Sequence, residues 1–169
     1  MKTDLLENLS ENYRDVYRFA YRMLGSHETA EDIVQESFLR LARENPKALV
    51  GESARRWLFV VARNLCISHL RKHARQPHIG LDSLNELETP GADPGQSAQA
   101  IERSELIKKV VSELPLVLRE VVILREYEGH SYAEIAALLG CPAGTVKSRL
   151  AAARETLRKR LEPLMEVTS

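Results

Sequence analysis

The chain has 169 residues, of which 44% are hydrophobic and 28% are charged, with equal numbers of basic and acidic side chains. This composition excludes a disordered chain and is typical of a soluble globular protein with one ordinary domain or two small ones. No apolar run approaches the roughly 18 residues that span a bilayer, and the first residues lack the basic start and apolar core of a signal peptide. We therefore expect a cytoplasmic protein without membrane insertion.

Two helices are predicted at the beginning of the chain. Apolar residues recur at helical spacing from Tyr13 to Leu24, and Gly25 ends this run. The next helix has acids in its first turns, where the positive end of the helix dipole favours them. Its segment DIVQESFLRL would repel DNA phosphates, so its partner should be a basic or polar protein surface, unless it is simply a solvated helix end. Asp32 and Glu36 have no histidine at ligand spacing, so a metal or acid–base site has little support.

A long basic helix follows the loop predicted for ENPKALVGES. Its sequence RRWLFVVARNLCISHLRKHAR combines basic residues with two aromatic ones. Basic and aromatic side chains together can bind single-stranded nucleic acid by phosphate contact and stacking, but Trp57 and Phe59 can instead be core residues, which is the favoured interpretation for Trp57. Asn64 is informative because asparagine is a poor helix former and needs another reason to be there.

Helical periodicity is absent from residue 76 to about residue 98, a stretch rich in proline and glycine. It is too long for a connection inside one compact domain, which indicates a flexible linker and a domain boundary. Residues 76–105 contain six acids and one base, whereas residues 54–75 contain six bases and no acid. Residues 141–160 again contain six bases, with one acid. Two basic segments around an acidic one suggest two surfaces that face polyanions, although solvated helix faces are often charged as well.

The last third of the chain predicts a helix-turn-helix. Helical pattern resumes near Ile101 and breaks at Pro115, and no strand-like alternation occurs along the sequence, so the fold should be all-helical. In SYAEIAALLGCPAGTVKSRL, Ser131 and Glu134 form a capping-box pattern that marks a helix start. Gly140 ends that helix, and the following proline suits the start of the next one.

The second of these helices has the pattern of a DNA-reading helix. Val146 and Leu150 are spaced to pack back onto the first helix, which leaves basic and hydroxyl side chains exposed. Lysine and arginine read guanine edges in the major groove, and hydroxyls bond phosphates or bases. The alternative is a helical hairpin with an ordinary solvent-exposed face. For Thr145, the alternative to a phosphate contact is a residue that only starts the helix. The candidate residues are Thr145, Lys147, Ser148, Arg149 and Arg154.

The two cysteines, Cys66 and Cys141, lie far apart in apolar helical contexts. Each is expected to be a small buried residue and not half of a disulfide or a metal ligand. The sequence has no CxxC or HExxH pattern and no nucleophile–base set. We therefore expect no metal, no cofactor and no enzymatic activity.

Three segments together resemble the extracytoplasmic-function class of bacterial RNA polymerase sigma factors, in the sigma-70 family. They are AEDIVQESFLRL, RRWLFVVARNLCISHLRK and LPLVLREVVILREYEGHSYAEIAALLGCPAGTVKSRLAAARETL, in this order around an acidic linker. The resemblance implies two small all-α domains: region 2 over residues 1–76, a flexible linker over 77–100 and region 4 over 101–169. It covers nearly the whole chain, without a long insert or an additional C-terminal domain.

The resemblance also implies roles for individual residues. The acidic helix would dock on core RNA polymerase, the basic helix would melt the −10 element and bind a flipped base of the single strand near Asn64, and the helix-turn-helix would read the −35 duplex. Extruding a base costs a few kcal/mol of unstacking, which a pocket and nearby positive charge can offset. The candidates for polymerase binding are Asp32, Gln35, Glu36 and Phe38. The candidates for −10 binding are Arg56, Arg63, Asn64, Ser68, Arg71 and Lys72.

Two positions depart from the family pattern. Ser68 stands where an acid or amide is frequent, and Ala152 stands where arginine or histidine is frequent, so −10 specificity and one −35 contact can differ. The resemblance further implies a flexible tether that lets both domains reach separate promoter elements, and an anti-sigma factor as a partner. The other hypotheses are a stand-alone helix-turn-helix regulator with an N-terminal sensor domain, and an enzyme or structural helical protein.

Overall fold

The structure is a computed structural model that describes residues 2–44, 52–74, 95 and 97–166. All regular secondary structure within these residues is helical, which confirms the predicted all-α fold. No helix in this part of the chain is long and apolar enough to cross a membrane. The elements are α1 (Lys2–Leu24), α2 (His27–Glu44), α3 (Glu52–Ala74), α4 (Ala98–Ser112), α5 (Leu116–Val122), a π-helical turn (Ile123–Tyr127), α6 (Tyr132–Leu139) and α7 (Ala143–Glu166).

Helices α1, α2 and α3 pack against one another and form the N-terminal helical group. Phe19 of α1 and Phe59 of α3 meet edge to face with ring centroids 5.7 Å apart, and both are fully buried. Val34 and Leu41 bring the apolar face of α2 into the same core. The predicted loop between α2 and α3 lies mostly outside the described residues.

Helices α4 to α7 form the C-terminal helical group. Val111, Leu114, Val122 and Ala153 make a small core where α4, α5 and α7 meet. Helix α4 begins at Ala98, a little before the predicted restart of helical pattern near Ile101. The reason is local: the Ser97 side chain accepts a hydrogen bond from the backbone N–H of Ala100 and caps the helix.

A π-helical turn directly after α5 changes the direction of the side chains that follow it. The N–H of Glu128 donates to the carbonyl of Ile123 at 3.1 Å, which is the wide bond of a π turn. In a regular α-helix Glu120 and Glu128 would be rotated by about 80° from each other, at about 100° per residue. The extra residue reduces that rotation to roughly 20°, so both carboxylates face the N-terminal group.

The two helical groups share one buried core. Residues of α5, the π turn, α6 and α7 belong to the same apolar cluster as those of α1 to α3. The His130 ring stands edge-on to Phe59 across the boundary, with centroids 5.1 Å apart. Arg119 donates to the carbonyl of Met23 in the last turn of α1 at 3.0 Å. The sequence predicts two helical modules but not the contact between them. The predicted limits of the domains and of the linker stay predictions, because most of the linker lies outside the described residues.

Candidate nucleic-acid and protein interfaces

The helix-turn-helix forms as the sequence predicts. The N–H of Glu134 donates to Ser131 Oγ at 3.2 Å, and the N–H of Ser131 donates to Glu134 Oε2 at 2.6 Å, which completes the capping box. These bonds also lower the pKa of the Glu134 carboxyl. Gly140 ends α6 in the left-handed conformation, with φ 64°. The carbonyl of Pro142 accepts from the N–H groups of the first turn of α7, so the second helix starts where predicted.

Helix α7 buries its apolar side and exposes most of its candidate DNA-binding residues. Val146 and Leu150 are fully buried against the core, as the spacing predicts. Lys147, Ser148 and Arg154 are exposed, and Thr145 and Arg149 are half-buried. Ser148 Oγ donates to the carbonyl of Thr145 at 3.0 Å, so this hydroxyl has a local partner on its own helix. Arg154 pairs with Glu126 at 2.8 Å on the surface of the same helical group.

The candidate residues of α3 lie along one face at spacings of three, four and seven residues. Asn64, Ser68, Arg71 and Lys72 are exposed, whereas Phe59 is buried in the core, so the core interpretation of that aromatic residue is correct. Trp57 is partly buried and packs against the same core. Towards the N-terminus of α3 the face meets the other group: Arg56 donates to the carbonyl of Ala137 in α6 at 3.4 Å.

One buried carboxylate connects the two sets of candidate DNA-binding residues. Glu120 of α5 is 1% exposed. It receives two hydrogen bonds from Arg63 of α3, Nε to Oε2 at 2.7 Å and Nη2 to Oε1 at 3.1 Å. Arg149 of α7 lies on its other side, with Nη1 3.6 Å from Oε1. A −10 candidate and a −35 candidate, far apart in the sequence, are therefore held by the same carboxylate.

A second buried carboxylate makes a separate bridge between the groups. Glu128, after the π turn, accepts from Arg22 at 2.7 Å and from Arg18 at 3.3 Å, both on α1. Burial raises the pKa of Glu128, and the two arginines oppose that shift. Arg22 also lies over the ring of Tyr127, 4.6 Å from its centroid. None of these residues is a sequence-predicted DNA contact, so this bridge closes the molecule without using the candidate site.

The candidate polymerase-binding residues lie on the outer side of α2. Asp32 and Gln35 are exposed, and Glu36 pairs with Arg40 on its own helix at 2.7 Å. Phe38 is half-buried and packs towards the core, with its ring 5.8 Å from that of Tyr13.

Sequence reasoning missed one member of this surface. Leu39 is 50% exposed and follows Asp32 by seven residues, which puts both on the same stripe of the helix. Helical spacing alone could have identified it. Tyr13 of α1, 37% exposed, lies beside Phe38 and has no comparable signal in the sequence.

Comparison with known proteins identifies both helical groups. Residues 9–76 match the family model for sigma-70 region 2, and residues 104–157 match that for sigma-70 region 4. The ECF RNA polymerase sigma factor SigW of Bacillus subtilis strain 168 is 32% identical to 95% of this chain and is covered over 91% of its own length. The ECF RNA polymerase sigma factor SigL of Mycobacterium tuberculosis is 38% identical over 88% of this chain and 84% of its own length.

The same arrangement of helices occurs in a solved structure. The sigma factor RpoE of Bartonella quintana, in complex with the anti-sigma factor NepR, matches with a TM-score of 0.73 at 28% identity, over 94% of this chain and 97% of that one. The match extends over nearly the whole chain and so includes residues of both helical groups. The sigma factor CnrH, in complex with the cytosolic domain of CnrY, has the same fold, with a TM-score of 0.66 over 96% of this chain. The chain therefore belongs to the extracytoplasmic-function class of the sigma-70 family and is an alternative sigma factor for transcription initiation.

Proposed function

We propose that this sigma factor binds core RNA polymerase through α2, recognises the −35 duplex through α7 and opens the −10 element through α3. The observation that carries the proposal is the separation of charge on the surface. Exposed acids and Leu39 share one stripe of α2, while exposed bases lie on α3 and α7. A basic surface attracts the phosphate backbone, and an acidic one repels it, so the two kinds of surface suit different partners.

The role of α7 follows from its exposed side chains. Lys147 and Ser148 point away from the buried Val146 and Leu150, as a helix that enters the major groove requires. Such a helix contributes through bonds to base edges, and each good bidentate pair discriminates by about 1–3 kcal/mol. Ala152 is exposed and offers no polar atom, in keeping with one fewer contact.

The role of α3 follows from its exposed asparagine among bases. Asn64 is exposed on the surface of α3, and its Oδ1 lies 3.5 Å from Arg63 Nη1. An amide can read the edge of an extruded base, while neighbouring cations hold the strand. Ser68, one turn further along, is exposed and would contact the same strand with a hydroxyl. This function involves no covalent chemistry and takes place where core polymerase is, in the cytoplasm.

The proposed partners are core RNA polymerase, promoter DNA and an anti-sigma factor. The likeness to RpoE in its complex with NepR supports the last of these, because the fold is shared over nearly the whole chain. A stand-alone regulator would need neither the acidic stripe on α2 nor a second basic helix.

The experiment is run-off transcription with purified core polymerase on a genomic fragment library, followed by mapping of the start sites. We expect discrete starts preceded by a common pair of sequence elements. A protein that never directs a start with core polymerase, but binds duplex DNA tightly by itself, would instead be a regulator.

The docking role of α2 is tested by Asp32→Arg. Reversal of an exposed charge in the stripe should weaken binding to core polymerase about tenfold or more, because like charges would then meet in the interface. Glu102→Arg makes the same charge change on an exposed position of α4 and is the matched control. Equal affinity of the two variants for core polymerase would remove α2 from the interface.

The reading role of α7 is tested by Arg149→Ala. Transcription from a −35-dependent promoter should fall about tenfold, while binding to core polymerase stays near normal. Lys159→Ala removes an exposed base later in α7, 68% exposed, and serves as the control. A parallel loss of promoter use and polymerase binding in Arg149→Ala would contradict the assigned role.

A further inference from the structure

The Glu120 carboxylate contacts two arginines that are candidates for DNA binding. Arg63 meets it with two nearly parallel N–H bonds of 2.7 and 3.1 Å, the fork geometry in which guanidinium binds carboxylate and phosphate alike. Arg149 lies 3.6 Å from the same carboxylate. The side chains of Arg63 and Arg149 are 23% and 29% exposed, so both arginines are largely covered in this arrangement. Neither arginine can present its full donor set to DNA while this bridge exists.

The bridge joins elements that would have to separate on a promoter. Arg63 belongs to the N-terminal group, while Glu120 and Arg149 belong to the C-terminal group. Under the proposed function the two arginines serve different promoter elements. Contact of both with one carboxylate is therefore a feature of the closed molecule.

Other contacts hold the groups closed without involving the candidate DNA-binding residues. Glu128 binds Arg18 and Arg22, and Arg119 donates to the carbonyl of Met23. The two carboxylates can therefore be tested separately: both join the groups, but only Glu120 touches arginines of the candidate site.

We infer that Glu120 is an internal competitor of DNA: its carboxylate holds Arg63 and Arg149 in the closed chain and keeps the free sigma factor from binding promoter DNA. This inference rests on the proposed function, because it takes both arginines as DNA contacts. Binding of core polymerase would separate the helical groups and release Arg63 from Glu120, while Arg149, which stays in the same group as Glu120, would exchange its 3.6 Å contact with this carboxylate for DNA. The affinity of the free protein for DNA is then limited by the population of the open state.

The test uses three full-length variants that each remove one negative charge. Glu120→Gln keeps the shape of the side chain, Glu128→Gln weakens the other bridge, and Glu113→Gln removes an exposed acid that pairs with Arg160 within the C-terminal group. Binding to a −35 duplex is measured by fluorescence anisotropy at one salt concentration, without polymerase. We expect binding by Glu120→Gln to be about tenfold tighter than wild type, Glu128→Gln to give a smaller gain of roughly threefold, and Glu113→Gln to stay within about twofold. Equal affinity of Glu120→Gln and Glu113→Gln for the duplex would overturn the inference.

A second measurement separates this inference from the proposed function. Amide hydrogen exchange of the DNA-free proteins reports whether α3 and α5 lose protection where they face each other. We expect that loss in Glu120→Gln and not in Glu113→Gln. If no variant binds the duplex, the proposed DNA-reading role of α7 fails. Hydrogen exchange then still tests whether Glu120 holds the groups together, because unchanged protection in Glu120→Gln would overturn the inference. If Glu120→Gln does not fold, as judged by circular dichroism, Glu120→Asp takes its place, since its shorter side chain retains the charge but cannot reach both arginines.

Discussion

Helices α3 and α7 are both rich in basic residues, but the partners of their ion pairs lie in different places. Arg63 of α3 binds Glu120 in the other helical group, and the glutamate is almost completely buried. Arg158 of α7 binds Glu155 and Glu162 on its own helix, with 54% of its side chain exposed. The position and burial of the partner, more than the number of charges, therefore determine whether a base is available to a ligand and whether it stabilises the closed molecule.

The largest difference between the two regions is expected in thiol reactivity. Cys66 of α3 is fully buried, and burial raises the pKa of its thiol to about 12. Its ordinary pKa is 9.0, so at pH 8 the folded chain should contain roughly a thousandfold less Cys66 thiolate than the unfolded chain, and alkylation should slow accordingly. Cys141, just before α7, is half-buried and should react first. Mass spectrometry of iodoacetamide-treated protein, with and without urea, measures both rates.

Equal rates for the two cysteines in the folded protein would contradict the burial of α3. Protection of Cys66 that disappears in Glu120→Gln would mean that closure of the two groups, and not the N-terminal core alone, covers it.

The ion pairs are compared by removing one arginine from each region. Arg63→Ala leaves Glu120 buried with only the more distant Arg149, and should lower the free energy of unfolding by about 2 kcal/mol. Arg154→Ala breaks an exposed pair with Glu126 and should cost less than about 0.5 kcal/mol. Urea denaturation followed by circular dichroism gives both values. Equal costs would mean that the contact between the groups adds no stability.

The smallest effects concern two glycines on either side of the turn before α7. Gly140 has φ 64°, so Gly140→Ala should destabilise the protein by about 1 kcal/mol through backbone strain. Gly144 lies in the first turns of α7, and Gly144→Ala should stabilise it by about 0.5 kcal/mol. An added Cβ meets no atom within 4 Å at either position, so packing does not obscure the comparison. Thermal unfolding should shift in opposite directions, and shifts of the same sign would contradict the left-handed turn.

The helix-turn-helix was predictable because each of its signals is local. The capping box, Gly140, the following proline and the pair Val146 and Leu150 act within a few residues of one another. The same local reasoning gave the exposed acids of α2. Local reasoning missed Leu39, because its position in the stripe is evident only when helical spacing is followed for two full turns.

The bridges between the groups could not be predicted from the sequence. Glu120 lies 57 residues from Arg63, and Glu128 lies 106 residues from Arg22. In the sequence each glutamate is an ordinary charged residue of an amphipathic helix, for which exposure is the rule. The burial of the two glutamates depends on how the helical groups pack against each other. Their common direction depends on a π turn that no residue pattern predicts. The resemblance to sigma factors predicted the modules correctly but carried no information about this contact.

The π turn makes the length of this segment as important as its composition. Insertion of one further residue between Ile123 and Tyr127 would rotate everything downstream by about 100°, a little more than a quarter of a revolution. Every residue of the capping box and of α7 would remain in the chain, yet Glu128 would no longer point at Arg22. The register of a single helical turn thus determines whether the two halves of this sigma factor can fit together.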